Sequence, residues 1–327
     1  MPDPEQHSQE NVNNNNNNNN NNSNSNSNSN SDAIDDENDD YDYEFMKSMF
    51  GGGNDDDDDS SDDNDDPQVT EYSWSCQQDD TKVIYHLAFL APGHGDAVWN
   101  SSDCIAQHLL LEEYRTKKLF PCGKFEWPPE SALEFGAGAA LPSMILLKEG
   151  TRRLLSTDQK INEETFDALN LSFQKNAPQW GISQEQIQDR VRVLPHSWGV
   201  GMDQLREAAT IDGNGNDDDD RNAGNIQLLI ASDCIYDPTH HRALLQSVAG
   251  TMSRTKGRFV VGYSFHMNVP PHKVMQFFDL AEKEFELKIT CEFQQDYNGQ
   301  EGIGNHDPKR GAVYIKVLAH KNSDFFS

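Results

Sequence analysis

Apolar spacing divides the chain beyond Val69 into short segments of two periods. Residues 69–75 and 82–90 read as two strands of a β-hairpin, joined through the polar turn 77–80. Ile105/Leu109 and Leu110/Tyr114 pair at i,i+4, so a helix is predicted over 101–118. Ser101, Ser102 or Asp103 would cap it, and Lys117 and Lys118 suit its C-terminus. Strand and helix patterns then alternate. Strands are predicted at 132–135, 153–157, 191–194, 227–231 and 259–263, the fourth continuously apolar as a central parallel strand should be. Helices are predicted at 141–148, stopped by Gly150, and at 163–175 and 239–252. A last helix opens at Pro270/Pro271 and carries the stripe Val274, Phe277, Phe278, Ala281, Phe285. Two strands close the pattern, one alternating Leu287, Ile289, Cys291 and Phe293, the other at 312–318.

This order predicts an α/β fold: a mostly parallel sheet covered on both faces, with an antiparallel strand inserted late. Ligands on such sheets bind beyond the carboxyl ends of the strands, where the strand order reverses. The strand ends are therefore the candidate site. The first reads Ser131-Ala-Leu-Glu-Phe-Gly-Ala-Gly-Ala-Ala-Leu-Pro142, with Glu134 two positions before Gly136 and Gly138. Such a turn lets backbone approach a nucleotide-like ligand. The third glycine of a dinucleotide fingerprint would fall at Leu141, and nothing basic follows to hold phosphate. An adenosine cofactor without pyrophosphate fits better, and S-adenosylmethionine is the obvious candidate. The second strand ends in Asp158, an acid suited to a ribose diol. The third runs into Ser197-Trp198-Gly199, with an indole able to lie against adenine, and the fourth into Ser232-Asp-Cys-Ile-Tyr236. Taken singly, each is a common turn or helix cap; together they point to a site.

Composition separates this body from what precedes it. Of 55 acidic and 26 basic side chains, residues 1–80 hold 23 acids and one base, Lys47. The body is nearly neutral, and no clustered basic face argues for nucleic acid. Residues 1–66 carry an Asn homopolymer, an Asn/Ser alternation and an Asp run, a composition that buries too little apolar surface to fold. They are expected to form a disordered acidic tail, with residues 67–327 as one domain. The five cysteines include no C-x-x-C pair, and no signal segment or membrane-spanning run stands out, so a reducing compartment fits. His240, His241, His266 and His272 match no zinc spacing and read as surface or helix-start residues. Gly262-Tyr-Ser-Phe-His266 lacks the closing glycine of a nucleophile elbow.

The order Trp99-Asn100-Ser101, Leu133–Pro142, Thr157-Asp158, Ser197-Trp-Gly199 and Ser232-Asp-Cys-Ile-Tyr236 resembles the family-16 seven-β-strand methyltransferases over about residues 80–320. These are protein-lysine methyltransferases acting on translation factors and chaperones, and the elongation-factor enzymes once labelled nicotinamide N-methyltransferase-like look nearest. Segment 94–101 and the stretch Asp307-Pro-Lys-Arg310 share in the likeness. The resemblance implies a Rossmann-like, seven-stranded, mostly parallel sheet of class I methyltransferase type with an antiparallel C-terminal hairpin. Glu134, Gly136 and Gly138 would then shape the methionine and ribose end of an S-adenosylmethionine pocket, with Asp158 on the ribose and Trp198 and Ser232 beside the cofactor. Trp99 would close the pocket, and Asp233 and Tyr236 would match an Asp-x-x-Tyr motif beside the acceptor amine. The expected enzyme is a cytoplasmic, monomeric protein N-methyltransferase, with a nuclear location also open. A nicotinamide-like small acceptor is the alternative, and a non-catalytic scaffold the third reading.

Overall fold

The computed structural model describes residues 69–88, 97–160, 163–210, 225–266, 269–296 and 312–327. The chain divides into two units, 1–64 and 65–327, and every described residue belongs to the second. The acidic tail, the 211–224 loop and Asp307–Arg310 lie outside the described residues, as do positions 94–96 of the segment before Trp99.

Strands β1 (Val69–Ser75) and β2 (Lys82–Ala88) pair antiparallel as their own hairpin. It is held down from below: the Asn176 side chain takes the Ile84 N–H at 2.8 Å, and Ser172 Oγ takes the His86 N–H at 2.8 Å. The main sheet has seven strands: β3 (Ser131–Phe135), β4 (Arg153–Asp158), β5 (Val191–Pro195), β6 (Leu228–Ser232), β7 (Arg258–Tyr263), β8 (Leu287–Asp296) and β9 (Ala312–His320). Their spatial order is β5-β4-β3-β6-β7-β9-β8. The first five are mutually parallel, and β9 runs antiparallel between β7 and β8. The expected mostly parallel α/β sheet with a late antiparallel hairpin is present. The order reverses between β3 and β6, which places a crevice beyond Phe135 and Ser232.

Helices α1 (Asn100–Leu110), α2 (Leu141–Glu149) and α3 (Glu163–Asn176) pack on one face with the β1–β2 hairpin, around Leu109, Met144, Phe173 and the alternate residues Ala132, Leu154 and Ile230. Short α4 (Gln184–Arg190) precedes β5. Helices α5 (Met202–Ala209), α6 (His241–Thr251) and α7 (Pro271–Phe285) pack on the other face, against Leu133, Phe135, Leu229, Phe259 and Val261. The α7 stripe buries Val274, Phe277, Phe278 and Ala281, while Phe285 is only partly covered. Each large apolar side chain sealed this way stabilises the fold by roughly 1.5–3 kcal/mol.

Three local expectations need correction. The helix predicted over 101–118 is broken at Leu111, which is extended (φ −83°, ψ 113°), and resumes as a helical turn over Glu112–Tyr114 and a π-helix over Arg115–Leu119; Arg115 Nη1 reaches back to the Leu109 carbonyl at 2.6 Å. Trp99 is its N-cap residue, without a side-chain cap bond. Ser101 and Asp103 lie inside the first turn, bonded to Asp233 and to the Trp74 indole N–H, so they make tertiary contacts rather than a cap. Finally, β8 does not alternate evenly. Ile289 pairs Leu318 but Cys291 pairs Val317, so Thr290 is a bulge. The bulge sends Leu287 and Ile289 to one face of the sheet and Cys291 and Phe293 to the other, leaving Ile289 40% exposed.

Candidate functional site

Because β3 to β7 are parallel, all five carboxyl ends open on one edge of the sheet. At the first, Gly136 (φ +58°) and Gly138 (φ +47°) adopt left-handed backbone that favours glycine. A Cβ on Gly136 would lie 2.8 Å from Cys234 Sγ and 3.7 Å from Trp198 Cζ2, so the turn is pressed between the ends of β6 and β5. Ala140 (φ 52°) then launches α2, whose Ser143 N–H donates to Glu134 Oε2 at 3.0 Å. Glu134 thereby ties strand to helix across the glycine turn. Its Oε1 is buried with no hydrogen-bond partner among the described residues. Burial pushes the Glu134 carboxyl up to about 8, against the Ser143 bond, which lowers it.

Asp158 stands one strand over. Its Oδ2 accepts the Gly138 N–H at 2.8 Å and its Oδ1 the Gln159 N–H at 2.7 Å. Loss of solvent around the carboxyl raises its pKa, and the two backbone donors oppose that rise. The residue keeps part of its surface accessible. Beyond β5, Ser247 Oγ accepts the Gly199 N–H at 2.8 Å and contacts His196 Nε2 at 2.9 Å, which pins the Ser197–Gly199 turn on α6. Trp198 packs there partly buried, edge-on to His240 with ring centres 6.2 Å apart.

Across the reversal, β6 ends in Ser232, buried, its Oγ without a partner among the described residues. Asp233 follows with φ +53°, uncommon for a residue bearing a Cβ. Its carboxylate holds that position: Oδ2 accepts the Ser101 hydroxyl at 2.7 Å and backbone N–H at 3.3 Å, and Oδ1 accepts the Ser264 N–H at 2.8 Å. The start of α1 approaches so closely because β7 offers a glycine. A Cβ on Gly262 would meet Ile105 Cδ1 at 2.8 Å and Ser101 Cβ at 2.9 Å. His266, after β7, gathers the remaining candidates. Its Nε2 is 3.7 Å from Asp233 Oδ1, and its ring is edge-on to Trp99 (5.3 Å, 80°) and to Tyr236 (6.2 Å, 77°).

The candidates thus fall into two linked groups along one edge. Glu134, Gly136, Gly138, Asp158 and Trp198 form one; Trp99, Asp233 and Tyr236 form the other, and the Ser232–Cys234 segment joins them. His266 and Ser101 stand in the second group although their sequence context marked them otherwise, His266 as a surface or helix-start residue and Ser101 as a cap. Their neighbours are set by packing between segments distant in sequence, 132 residues apart for Ser101 and Asp233, and the ends of β6 and β7 for Asp233, Tyr236 and His266. His241 does begin α6, but it is buried, its Nε2 2.9 Å from the Ile235 carbonyl oxygen. Among the described residues no group of three or more His, Cys, Asp or Glu is placed to hold a metal ion, and no helix is long and apolar enough to cross a membrane.

No family model matches the chain. It is 26% identical over 171 residues to the protein N-terminal and lysine N-methyltransferase EFM7 of Cryptococcus neoformans var. neoformans, covering 52% of this chain and 48% of that one. Its identity to the enzyme of the same name from Gibberella zeae is 26% over 226 residues, 67% of this chain and 76% of the relative. For the one from Candida glabrata it is 28% over 211 residues, 63% and 69%. Among solved structures, a ribosomal protein L11 methylase from Lactobacillus delbrueckii subsp. bulgaricus is 15% identical, with a TM-score of 0.39 over 69% of this chain and 81% of that one, too slight a likeness to bear on function. The chain spans about half the length of the first of these relatives, and all three carry the same name.

Proposed function

We propose that this chain transfers a methyl group from S-adenosylmethionine to an amine nitrogen of a protein, a lysine side chain or an N-terminal amine. The observation that carries the reading is the bond from Gly138 N–H to Asp158 at the ends of β3 and β4, beside the β3/β6 reversal where Gly136 packs against Cys234. It puts an acid beside a glycine turn whose sequence, Gly136-Ala-Gly-Ala-Ala-Leu-Pro142, lacks the third glycine and the base of a phosphate-binding loop. The names of the relatives support the same reading.

The residues present fit the cofactor. Glu134 Oε1 and Ser232 Oγ are buried polar atoms still lacking partners among the described residues, and the glycine turn brings backbone where a Cβ would collide. When bound, S-adenosylmethionine supplies an electrophilic methyl group on a sulfonium sulfur. Asp158 would accept the ribose hydroxyls and Trp198 border the adenine. Glu134, Gly136 and Gly138 would shape the ribose and methionine end, with Ser232 beside it and Trp99 closing the pocket. Asp233 and Tyr236 would hold the acceptor amine in line with the methyl group; positioning and exclusion of water account for most of the acceleration in such a step.

The finer reading follows the family-16 resemblance: the acceptor is a translation factor, such as an elongation factor, or a chaperone, met in the cytoplasm or nucleus by a monomer that uses no nucleic acid. The test is incubation of the full chain with methyl-labelled S-adenosylmethionine and a cell extract, followed by mass spectrometry. Label on a protein amine is expected. Label confined to small metabolites would replace the protein acceptor by a nicotinamide-like one, and cofactor binding without transfer to anything would leave a scaffold.

A further inference from the structure

We propose that the groove between α3, α4 and β5 is a docking site, where an extended acidic segment of a partner protein lies along the free edge of the sheet. Its lining shares no residue with the crevice, so the proposal does not depend on what the crevice binds. β5 is the end strand, paired among the described residues with β4 alone. The His196 N–H bonds the Asp158 carbonyl. In this parallel ladder, residues 192, 194 and 196 therefore turn their backbone groups to β4, while 191, 193 and 195 turn theirs outward. Arg192 Nη1 takes the Val191 carbonyl at 3.0 Å, and Pro195 has no N–H. Val193 is left offering both a donor and an acceptor, unpaired among the described residues. An added strand would pair there.

Beside that edge the groove encloses about 330 Å³. Buried Phe173 and Ile187 give it an apolar floor, and four exposed side-chain amides stand around it, Asn170 and Gln174 from α3 and Gln184 and Gln188 from α4. Asn170 Nδ2 is spent on the Phe166 carbonyl at 2.9 Å, whereas the three glutamine amides bond no described residue. Each amide pairs a donor with an acceptor, as a peptide bond does, and so continues the pairing that Val193 begins. Charge then selects the strand. Among the described residues lining the groove Arg192 alone is charged, its Nη1 donating to the carbonyls of Gln188, Asp189 and Val191. Two more guanidiniums back the same segment. Arg153 donates to the Asp189 carbonyl, and Arg190 to the Leu147 and Thr151 carbonyls at 2.8 Å. Arg153 is 6% exposed, its Nε buried without a partner among the described residues. All three thus spend their donors on neutral oxygens, and only the Asp189 carboxylate acts on Arg190 from the same segment. The excess of positive charge favours an acidic strand. The one ring in the lining, Phe173, is 1% exposed and so offers no face on which a nucleic-acid base could stack.

Photolabelling of the full chain tests this. The probe is a synthetic peptide of alternating Asp and Val that carries one photoreactive diazirine, supplied in large excess because residues 1–66 are themselves acidic. Irradiation and mass spectrometry should place the label on residues 170–174 and 184–193. Half-maximal labelling should need about tenfold more probe for Arg192→Gln and about threefold more for Gln188→Ala, with recovery in Arg192→Lys. N-methylation of alternate probe amides, which removes the donors that pair with an edge strand, should also cost about tenfold. Melting temperature and S-adenosylmethionine binding should match wild type in each variant. Label elsewhere or none, equal labelling by a peptide of alternating Lys and Val, or labelling indifferent to Arg192→Gln would overturn the proposal. Stronger suppression by poly(A) RNA than by the unlabelled acidic peptide would assign the groove to nucleic acid instead. Labelling seen only in a chain that starts at residue 67 would make this chain's own acidic segment the occupant and overturn the partner.

Discussion

Glu134 carries the largest electrostatic consequence of the glycine turn. Its ordinary value is 4.5 and burial pushes it up to about 8 in the folded chain. Between those values the folded state keeps a proton that the unfolded state has released, so stability falls as pH rises through that window. Below about 4.5 both states are protonated and the penalty is absent. Asp158, also raised by burial, tilts stability the same way. Glu134→Gln should flatten the profile, its Tm advantage over wild type growing from pH 5 to pH 8 by the equivalent of a few kcal/mol at most, on the order set by such linkage. Parallel Tm–pH curves would show that Glu134 is ionised in the fold. The strand-end positions of Glu134, Asp158 and Asp233 were legible from sequence because each follows an apolar run with a countable end. What sequence did not carry was their partners: the Ser101 hydroxyl on Asp233, and Cys234 against Gly136, come from segments about a hundred residues apart.

The same contrast holds for the elements. Strands β3 to β7 and the long helices were readable because buried parallel strands and amphipathic helices impose strong periods. Helices α4 and α5 were not, since α4 is seven residues long with only Ile187 buried, and α5 buries only Leu205 and Ala209. The bulge in β8 was invisible for another reason: the odd-numbered apolar residues keep a perfect period of two, and only pairing with β9 reveals that they change faces at Thr290. Deleting Glu292, which would bring Phe293 opposite Lys316 and onto the other face, should destabilise by about 1–3 kcal/mol in denaturant unfolding, whereas deleting the unpaired Thr290 would keep Cys291 and Phe293 on their present face. Ile289→Lys, at a side chain already 40% exposed, should stay within about 0.5 kcal/mol. Equal effects from the Glu292 deletion and Ile289→Lys would refute the register.

For the molecule as a whole, charge and core are separated along the sequence. Net charge is −29, concentrated before residue 81, whereas both apolar clusters are built from Trp74 onward. A chain starting at residue 67 should therefore melt within about 2 °C of full length and retain methyl transfer; a fall of 5 °C or more would give the acidic segment a structural part. The sheet order β5-β4-β3-β6-β7-β9-β8 fixes where a ligand can lie, and the account stands or falls on what occupies that crevice. Calorimetric titration of S-adenosylmethionine into wild type and Asp158→Ala tests it most directly. One site per chain on wild type is predicted, with affinity lost at least about 10-fold in the variant through removal of the carboxylate proposed to accept from the ribose, a charged hydrogen bond contributing about 1.5–3 kcal/mol. No binding to wild type, or equal affinity in both proteins, would contradict it.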